Sequence, residues 1–151
     1  MVDTLGVLSL FSGVGGLDLG VHRALDRMDR GARTVAYVER EAFSIACLGA
    51  AMDRGELDAA PVYTDITTLD CGSMRGTVDL VIGGFPCQDL SSAGRRAGIR
   101  GKRSGLFFEL MRVVRDTGYR YVFLENVGAI LVRGIDTVLG ELAEAGFDAE
   151  W

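Results

Sequence analysis

Proline is nearly absent from this 151-residue chain, with two copies. No linker-like stretch divides the sequence, no repeat or low-complexity tract is visible, and the length suits one domain. Cysteine is scarce too. Cys47, Cys71 and Cys87 are odd in number and form no C-x-x-C pair, which argues against a disulfide framework and a cysteine-type zinc site and for a reducing compartment. No metal is expected. No run approaches ~18 uninterrupted apolar residues, so a membrane span is not expected. The start, Met1-Val2-Asp3-Thr4, lacks the basic region of a secretory leader, and a cytoplasmic location follows as the expectation. Basic charge is not in excess: the net charge of −5 excludes a uniformly basic nucleic-acid binder. The single histidine, His22, reads as a surface residue of a helix. What the chain does have is apolar material, 48% of it, enough for a core and too much for general disorder. It also has 21 glycines, roughly twice ordinary usage.

Short apolar runs alternate with helix-period segments. Strands are expected at residues 7–11, 34–38, 62–63, 78–82 and 121–124, with the start of a sixth at 147–151. Between them lie helical patterns. The first has Leu17, Val21, Ala24, Leu25 and Met28 on one face. The second has Ala42, Ile45, Ala46 and Gly49 inward. A third, capped by Ser104, turns Leu106, Phe107, Leu110, Met111 and Val114 to the core, and the last uses Ile135, Val138, Leu139 and Leu142. A long polar, glycine-rich loop separates the fourth strand from the third helix. Strand–helix alternation with continuously apolar strands predicts an α/β fold, a doubly wound, mostly parallel sheet covered on both faces.

Such sheets bind ligands at the carboxyl ends of their strands. The turn Ser12-Gly13-Val14-Gly15-Gly16 sits there, where glycine permits positive φ and close backbone approach and the following helix offers unpaired N–H groups. Glu39 closes the second strand and can accept hydrogen bonds from both hydroxyls of a ribose. Asp65 closes the third and is placed to read an adenine amino group. The turn departs from G-x-G-x-x-G, so a nucleoside cofactor without pyrophosphate fits better than a dinucleotide; alone, it is equally a tight turn flanked by surface acids.

Gly83-Gly84-Phe85-Pro86-Cys87-Gln88 follows the fourth strand directly. A cysteine on a loop at a strand's carboxyl end is placed as a nucleophile, whereas Cys47 in a helix and Cys71 in a turn read as packing or surface residues. Residues 89–103 carry Arg95, Arg96, Arg100, Lys102 and Arg103 against one acid, a local +4 that leaves −9 on the rest of the chain. A basic loop on an acidic body suits phosphate contact. The fifth strand ends at Glu125-Asn126-Val127, which brings Glu125 beside the Cys87 loop; a partly buried carboxyl there would have its pKa raised and donate a proton.

Taken in order, these segments resemble the DNA (cytosine-5) methyltransferases of bacteria and phages. Residues 10–17 resemble the family's first motif, Gly84-Phe85-Pro86-Cys87-Gln88 its fourth and Glu125-Asn126-Val127 its sixth. Glu39 matches the acid of the second, Asp65-Ile66 the third, and residues 104–108 the fifth. The resemblance implies a Rossmann-like fold and S-adenosyl-L-methionine as cofactor. Phe11 would stack on adenine, the backbone of Ser12, Gly13, Gly15, Gly16 and Leu17 would cradle the methionine part, and Glu39 would hold the ribose. Asp65 and Ile66 would meet the adenine, with Gly83, Pro86 and Leu106 completing the pocket. It further implies that Cys87 attacks C6 of a flipped-out cytosine in double-stranded DNA while Glu125 protonates N3. Gln88, Ser91 and the Arg95, Arg96, Arg100, Lys102, Arg103 cluster would grip the DNA.

The chain departs from the family pattern at its end. The family's Gln-x-Arg-x-Arg segment, target-recognition region and last motif are not found, so residues 1–151 read as a partial catalytic, cofactor-binding domain. A truncation, a fragment and one subunit of a split enzyme with a C-terminal partner chain are all compatible. Two other functions stay open: a catalytically incompetent module that binds cofactor or partner, and an RNA cytosine-5 methyltransferase.

Overall fold

A computed structural model describes residues 4–86 and 105–151. Its elements are β1 (Thr4–Leu10), α1 (Gly16–Arg27), β2 (Gly31–Val38), α2 (Ala42–Asp53), β3 (Val62–Tyr63), β4 (Leu80–Gly84), α3 (Gly105–Thr117), β5 (Tyr121–Glu125), α4 (Ile130–Arg133) and α5 (Ile135–Glu144). Two short 3-10 turns, Ile66–Thr68 and Gly72–Met74, precede β4. The sheet order is β3-β2-β1-β4-β5, and every pairing is parallel. The chain therefore has the expected α/β fold, with the carboxyl ends of all strands on one edge.

Alternation along β1 sorts its side chains between two layers. Val7 joins Leu80 and Ile82 against Leu17, Val21 and Leu25 of α1, and Tyr37 of β2 packs on Leu48 and Ala51 of α2. On the other face Leu8, Leu10, Val38 and Val81 meet Phe107, Leu110, Met111 and Val114 of α3, together with Val138 and Leu142 of α5. Each fully buried aliphatic or aromatic side chain here is worth about 1.5–3 kcal/mol relative to exposure.

Three details of the expected pattern are corrected. Met28 does not extend the first helix: it is the C-cap of α1 and 67% exposed. Asp29, at φ 55°, takes the left-handed position after it, and the N–H of Arg30 closes back on the Leu25 carbonyl. In α2 the buried residues are Leu48 and Ala51, while Ala42 and Ala46 are exposed and Ile45 and Gly49 only half-buried. That helix is apolar nearly all round, so periodicity could not select its inner face. Residues 147–151 form no sixth strand. Gly146 (φ 87°) ends α5, and the Phe147 N–H donates to the Leu142 carbonyl across the cap. Four residues, two of them acidic, then remain.

The absent sixth strand leaves β5 at an edge. Its burial alternates between exposed and half-buried residues, with Tyr121 43% and Phe123 49% exposed. The sheet is thus not covered on both faces there. An apolar groove of about 540 Å³ runs between α1 and β5, lined by Leu17, Val21, Leu25, Leu80, Tyr121 and Phe123 among others.

Gly6 is where β1 passes closest to the turn before β4. Its N–H donates to Asp79 Oδ2 at 3.0 Å and its carbonyl accepts from Asp79 N at 2.8 Å. A Cβ on Gly6 would lie 1.9 Å from the Thr77 carbonyl oxygen, a backbone atom that can yield only by moving the chain. Gly6→Ala is expected to destabilise the fold by about 3 kcal/mol, read as a lowered urea midpoint with an unchanged slope.

Candidate active site and cofactor turn

β1 stops at Leu10 because the next residue turns out of the sheet: Phe11 has φ 55°, as does Gly13, and Gly15 has φ 85°. Ser12 between them is buried, and its N–H donates to the Val38 carbonyl of β2 at 3.1 Å. Gly15 is the N-cap of α1, and a Cβ on it would lie 2.6 Å from Leu57 Cδ1. A Cβ on Gly13 or Gly16 would meet nothing within 4 Å. The turn therefore needs glycine for its own packing at Gly15 and keeps open space at Gly13 and Gly16.

Glu39 reaches this turn from the end of β2. Its Oε2 accepts from Gly13 N at 2.7 Å, and its Oε1 accepts from the N–H groups of Arg40 and Glu41, each at 2.7 Å. Asp65, after β3, is exposed; its Oδ1 accepts from the Thr67 N–H and hydroxyl, and the Thr67 hydroxyl, then its N–H, hold this carboxyl below the usual carboxylate range. Ile66 beside it is buried. Leu17 and Leu106 are half-buried.

On the other side of β1, Gly83 is buried in β4, where a Cβ would lie 3.2 Å from the Leu10 carbonyl oxygen. The β4–β5 register pairs Gly84 with Glu125, and a Cβ on Gly84 would lie 3.0 Å from Glu125 Oε2. Glu125 is therefore beside Gly84-Phe85-Pro86, the segment leading to Cys87. Contrary to expectation, Glu125 is exposed, not partly buried. It ends an edge strand, and no element among the described residues covers it. Cys87, Gln88, Ser91, Arg95, Arg96, Arg100, Lys102, Arg103 and the expected cap Ser104 lie outside the described residues. No group of acids, histidines and cysteines that could hold a metal occurs among the described residues, and no described helix is long and apolar enough to cross a membrane.

Sheet order thus sets Asp65, Glu39, the Phe11–Gly16 turn, Gly83 and Glu125 in a row along one edge. Two supporting residues were given no role by the sequence reading. Asn126 Nδ2 donates to the Phe85 carbonyl at 2.9 Å, tying the end of β5 to the segment before Cys87; its place next to Glu125 was the available signal. Arg112 Nη2 donates to the Ile66 carbonyl at 2.8 Å, a link across 46 residues that no local pattern discloses. The expectation for His22 also changes. It is half-buried, its Nε2 lies 3.1 Å from Thr34 Oγ1, and its Nδ1 lies 3.9 Å from Asp58 Oδ2.

The family model for C-5 cytosine-specific DNA methylase matches residues 5–151. The chain belongs to this family. It is 33% identical over 145 residues to the Type II methyltransferase M.Eco47II of Escherichia coli, covering 93% of this chain and 32% of that protein. Identity to M.BanI of Aneurinibacillus aneurinilyticus is 30% over 148 residues, covering 95% of this chain and 32% of the relative. M.AquIA of a Picosynechococcus strain is 36% identical over 133 residues, with 83% and 49% covered. The chain spans about a third of the first two relatives and about half of the third. Among solved structures, a Spodoptera frugiperda DNMT2 mutant superposes with a TM-score of 0.67 over 93% of this chain and 41% of that one, at 19% identity. A precorrin-6y C5,15-methyltransferase of Geobacter metallireducens does so with 0.62 over 99% and 67%, at 12%. Both likenesses concern the fold, which is the Rossmann-like methyltransferase fold.

Proposed function

We propose that residues 1–151 form the cofactor-binding and catalytic part of a DNA cytosine-5 methyltransferase, with target recognition carried by polypeptide outside them. The observation that carries this reading is the Gly84–Glu125 register, which sets an acid beside the strand end that leads to Cys87. The family match supports it throughout.

The donor and acceptor set fits S-adenosylmethionine. The Glu39 carboxylate suits a ribose diol, the exposed Asp65 suits an adenine amino group, and the open space at Gly13 and Gly16 admits a ligand against the backbone. When bound, the cofactor supplies an electrophilic methyl group on a sulfonium. The chain's own residues would do the rest. The Cys87 thiolate adds to C6 of a flipped-out cytosine, while Glu125 gives a proton to N3. This converts C5, otherwise a poor nucleophile, into an enamine carbon that takes the methyl group. The C5 hydrogen then leaves as a proton to solvent, the Cys87–C6 bond breaks to return the thiolate, the 5,6 double bond re-forms, and N3 gives its proton back to the Glu125 carboxylate. Extrusion of the base costs a few kcal/mol. The basic residues Arg95, Arg96, Arg100, Lys102 and Arg103, with Gln88 and Ser91, would offset it through backbone contacts.

The relatives, named as Type II methyltransferases, favour DNA over RNA as the substrate. They are two to three times longer than the matched region, and the uncovered apolar face of β5 is where additional polypeptide, continuous or as a partner chain, would pack. The chain alone is accordingly expected to bind cofactor weakly and not to methylate DNA. Transfer of tritiated methyl groups to mixed-sequence DNA, with and without a C-terminal partner fragment, tests this. Label incorporated only in the mixture supports the reading, turnover by the chain alone refutes the need for a partner, and no incorporation in either refutes the catalytic assignment.

A further inference from the structure

Asp18 is the one acidic or basic residue that is buried among the described residues, at 0% exposure, and it lies directly beneath the glycine turn. Its Oδ2 is 3.0 Å from Ser9 Oγ, which is 2.9 Å from Ser12 Oγ. Ser12 Oγ in turn lies 3.1 Å from the Ser9 carbonyl oxygen and 3.4 Å from that of Val38. Asp18 Oδ1 has no partner.

Two serine hydroxyls bring two protons to this cluster. With the carboxyl ionised, Ser9 must donate to Asp18, and beside that bond and the residue's own backbone N–H the charge keeps an orphaned oxygen in a site closed to water. That arrangement is among the most costly a fold can contain. With a proton on Oδ2, the acid donates to Ser9, Ser9 donates to Ser12, and Ser12 donates to a strand-end carbonyl. Every O–H then has an acceptor, and Oδ1 is left as an uncharged oxygen, which is far cheaper to bury.

We propose that Asp18 is a positioning residue of the cofactor turn, acting as a neutral carboxylic acid that donates through Ser9 to Ser12. Ser12 lies between two residues at φ 55°, Phe11 and Gly13, and Phe11 has a Cβ that disfavours this conformation. The relay holds Ser12 from beneath while its N–H is held by Val38. It thereby sets where the Gly13 N–H points. The role rests on reading this turn as the cofactor site.

Burial pushes the Asp18 carboxyl above its ordinary range, opposed by the Ser9 hydrogen bond, then by the residue's own backbone N–H and by His22 one turn along α1. From β2, Tyr37 faces the same region; its hydroxyl donates to the Asp58 carbonyl and is pushed up to about 12 by burial, so it stays protonated. Asp58, whose Oδ2 accepts from Thr34 N and lies near His22, is a further charged group on this side of the sheet. The unfolded chain ionises Asp18 in the ordinary carboxylate range, so folding retains a proton above it. The stability this residue contributes is complete below that range and is lost as pH rises toward the raised native pKa. An asparagine supplies a donor without that loss.

The test uses the full chain and its Asp18→Asn, Asp18→Ala and Ser9→Ala variants. Thermal unfolding is followed against pH, affinity for S-adenosylhomocysteine is measured by calorimetry, and wild-type and Asp18→Asn infrared spectra are compared for the C=O stretch of a protonated carboxyl. Asp18→Asn is expected to melt above wild type near neutral pH, with the gap closing toward about pH 4. It should also keep its affinity, while Asp18→Ala and Ser9→Ala lose about tenfold. A protonated-carboxyl band at neutral pH, absent from Asp18→Asn, is expected. Affinity in Asp18→Asn as poor as in Asp18→Ala, or no such band, overturns the proposal. Wild-type chain that does not bind S-adenosylhomocysteine overturns the cofactor reading and the positioning role with it, while the infrared band still decides the protonation.

Discussion

Cys87→Ala is expected to abolish methyl transfer in the active enzyme, continuous or assembled with a partner chain, while Cys47→Ala and Cys71→Ala retain it. The fold accounts for the two thiols that should be dispensable. Cys71 is buried, its thiol lies 3.7 Å from the Leu69 carbonyl, and burial pushes it above its ordinary range, which suppresses the reactive thiolate. Cys47 is half-buried within α2, away from the row of strand ends. Cys87 lies outside the described residues; it follows Pro86 in sequence, three residues after the end of β4, the strand that pairs with β1. Without a nucleophile at C6, carbon 5 cannot be activated, so no other group compensates and the loss should reach the background of the assay. A covalent adduct with DNA containing 5-fluorocytosine, in which fluorine blocks the final proton loss, should form with the Cys47 and Cys71 variants and not with the Cys87 variant. Methyl transfer by Cys87→Ala would refute the assignment.

Glu125→Gln should slow the chemical step by about 10²–10⁴-fold and leave cofactor affinity nearly unchanged. The amide keeps the shape and accepts or donates a hydrogen bond, but it has no carboxyl proton to give to N3. The separation of the two effects is expected from sheet order: β4 stands between β5 and the β1 turn, which keeps Glu125 apart from Glu39 and its proposed cofactor contact. Glu125 is exposed among the described residues, open to a substrate base. Single-turnover rates with saturating DNA, set beside cofactor dissociation constants, check the prediction; a near-normal single-turnover rate would remove Glu125 from the mechanism.

Much of this architecture follows from local sequence. Apolar runs bounded by glycine or acidic residues placed all five strands to within a few residues, and the alternation of strand and helix sufficed for a parallel α/β sheet. The residues at strand ends, Glu39, Asp65 and Glu125, could be read as a set because a parallel sheet sends every carboxyl end to one edge. Other features were not legible, for physical reasons. In α2 a nearly uniform apolar composition hides the buried side, which is decided by Tyr37 and Leu57 packing on Leu48 and Ala51. Residues 147–151 carry strand-like character, but the Phe147 N–H goes to the cap of α5.

By itself, then, the sequence determined the fold class and the turn that requires glycine, since these depend on periodicity and positive φ, and it supplied the candidate side chains for the chemistry. The tertiary structure alone decided which of them are neighbours and in what state. The β4–β5 register brings Glu125 to Gly84, the edge position of β5 leaves that acid in water, and the crossing of α1 over β1 seals Asp18 against Ser9 and Ser12. Hydrogen-bond partners, burial and charge state depend on distances between segments far apart in the chain, and those distances exist only once the sheet has assembled.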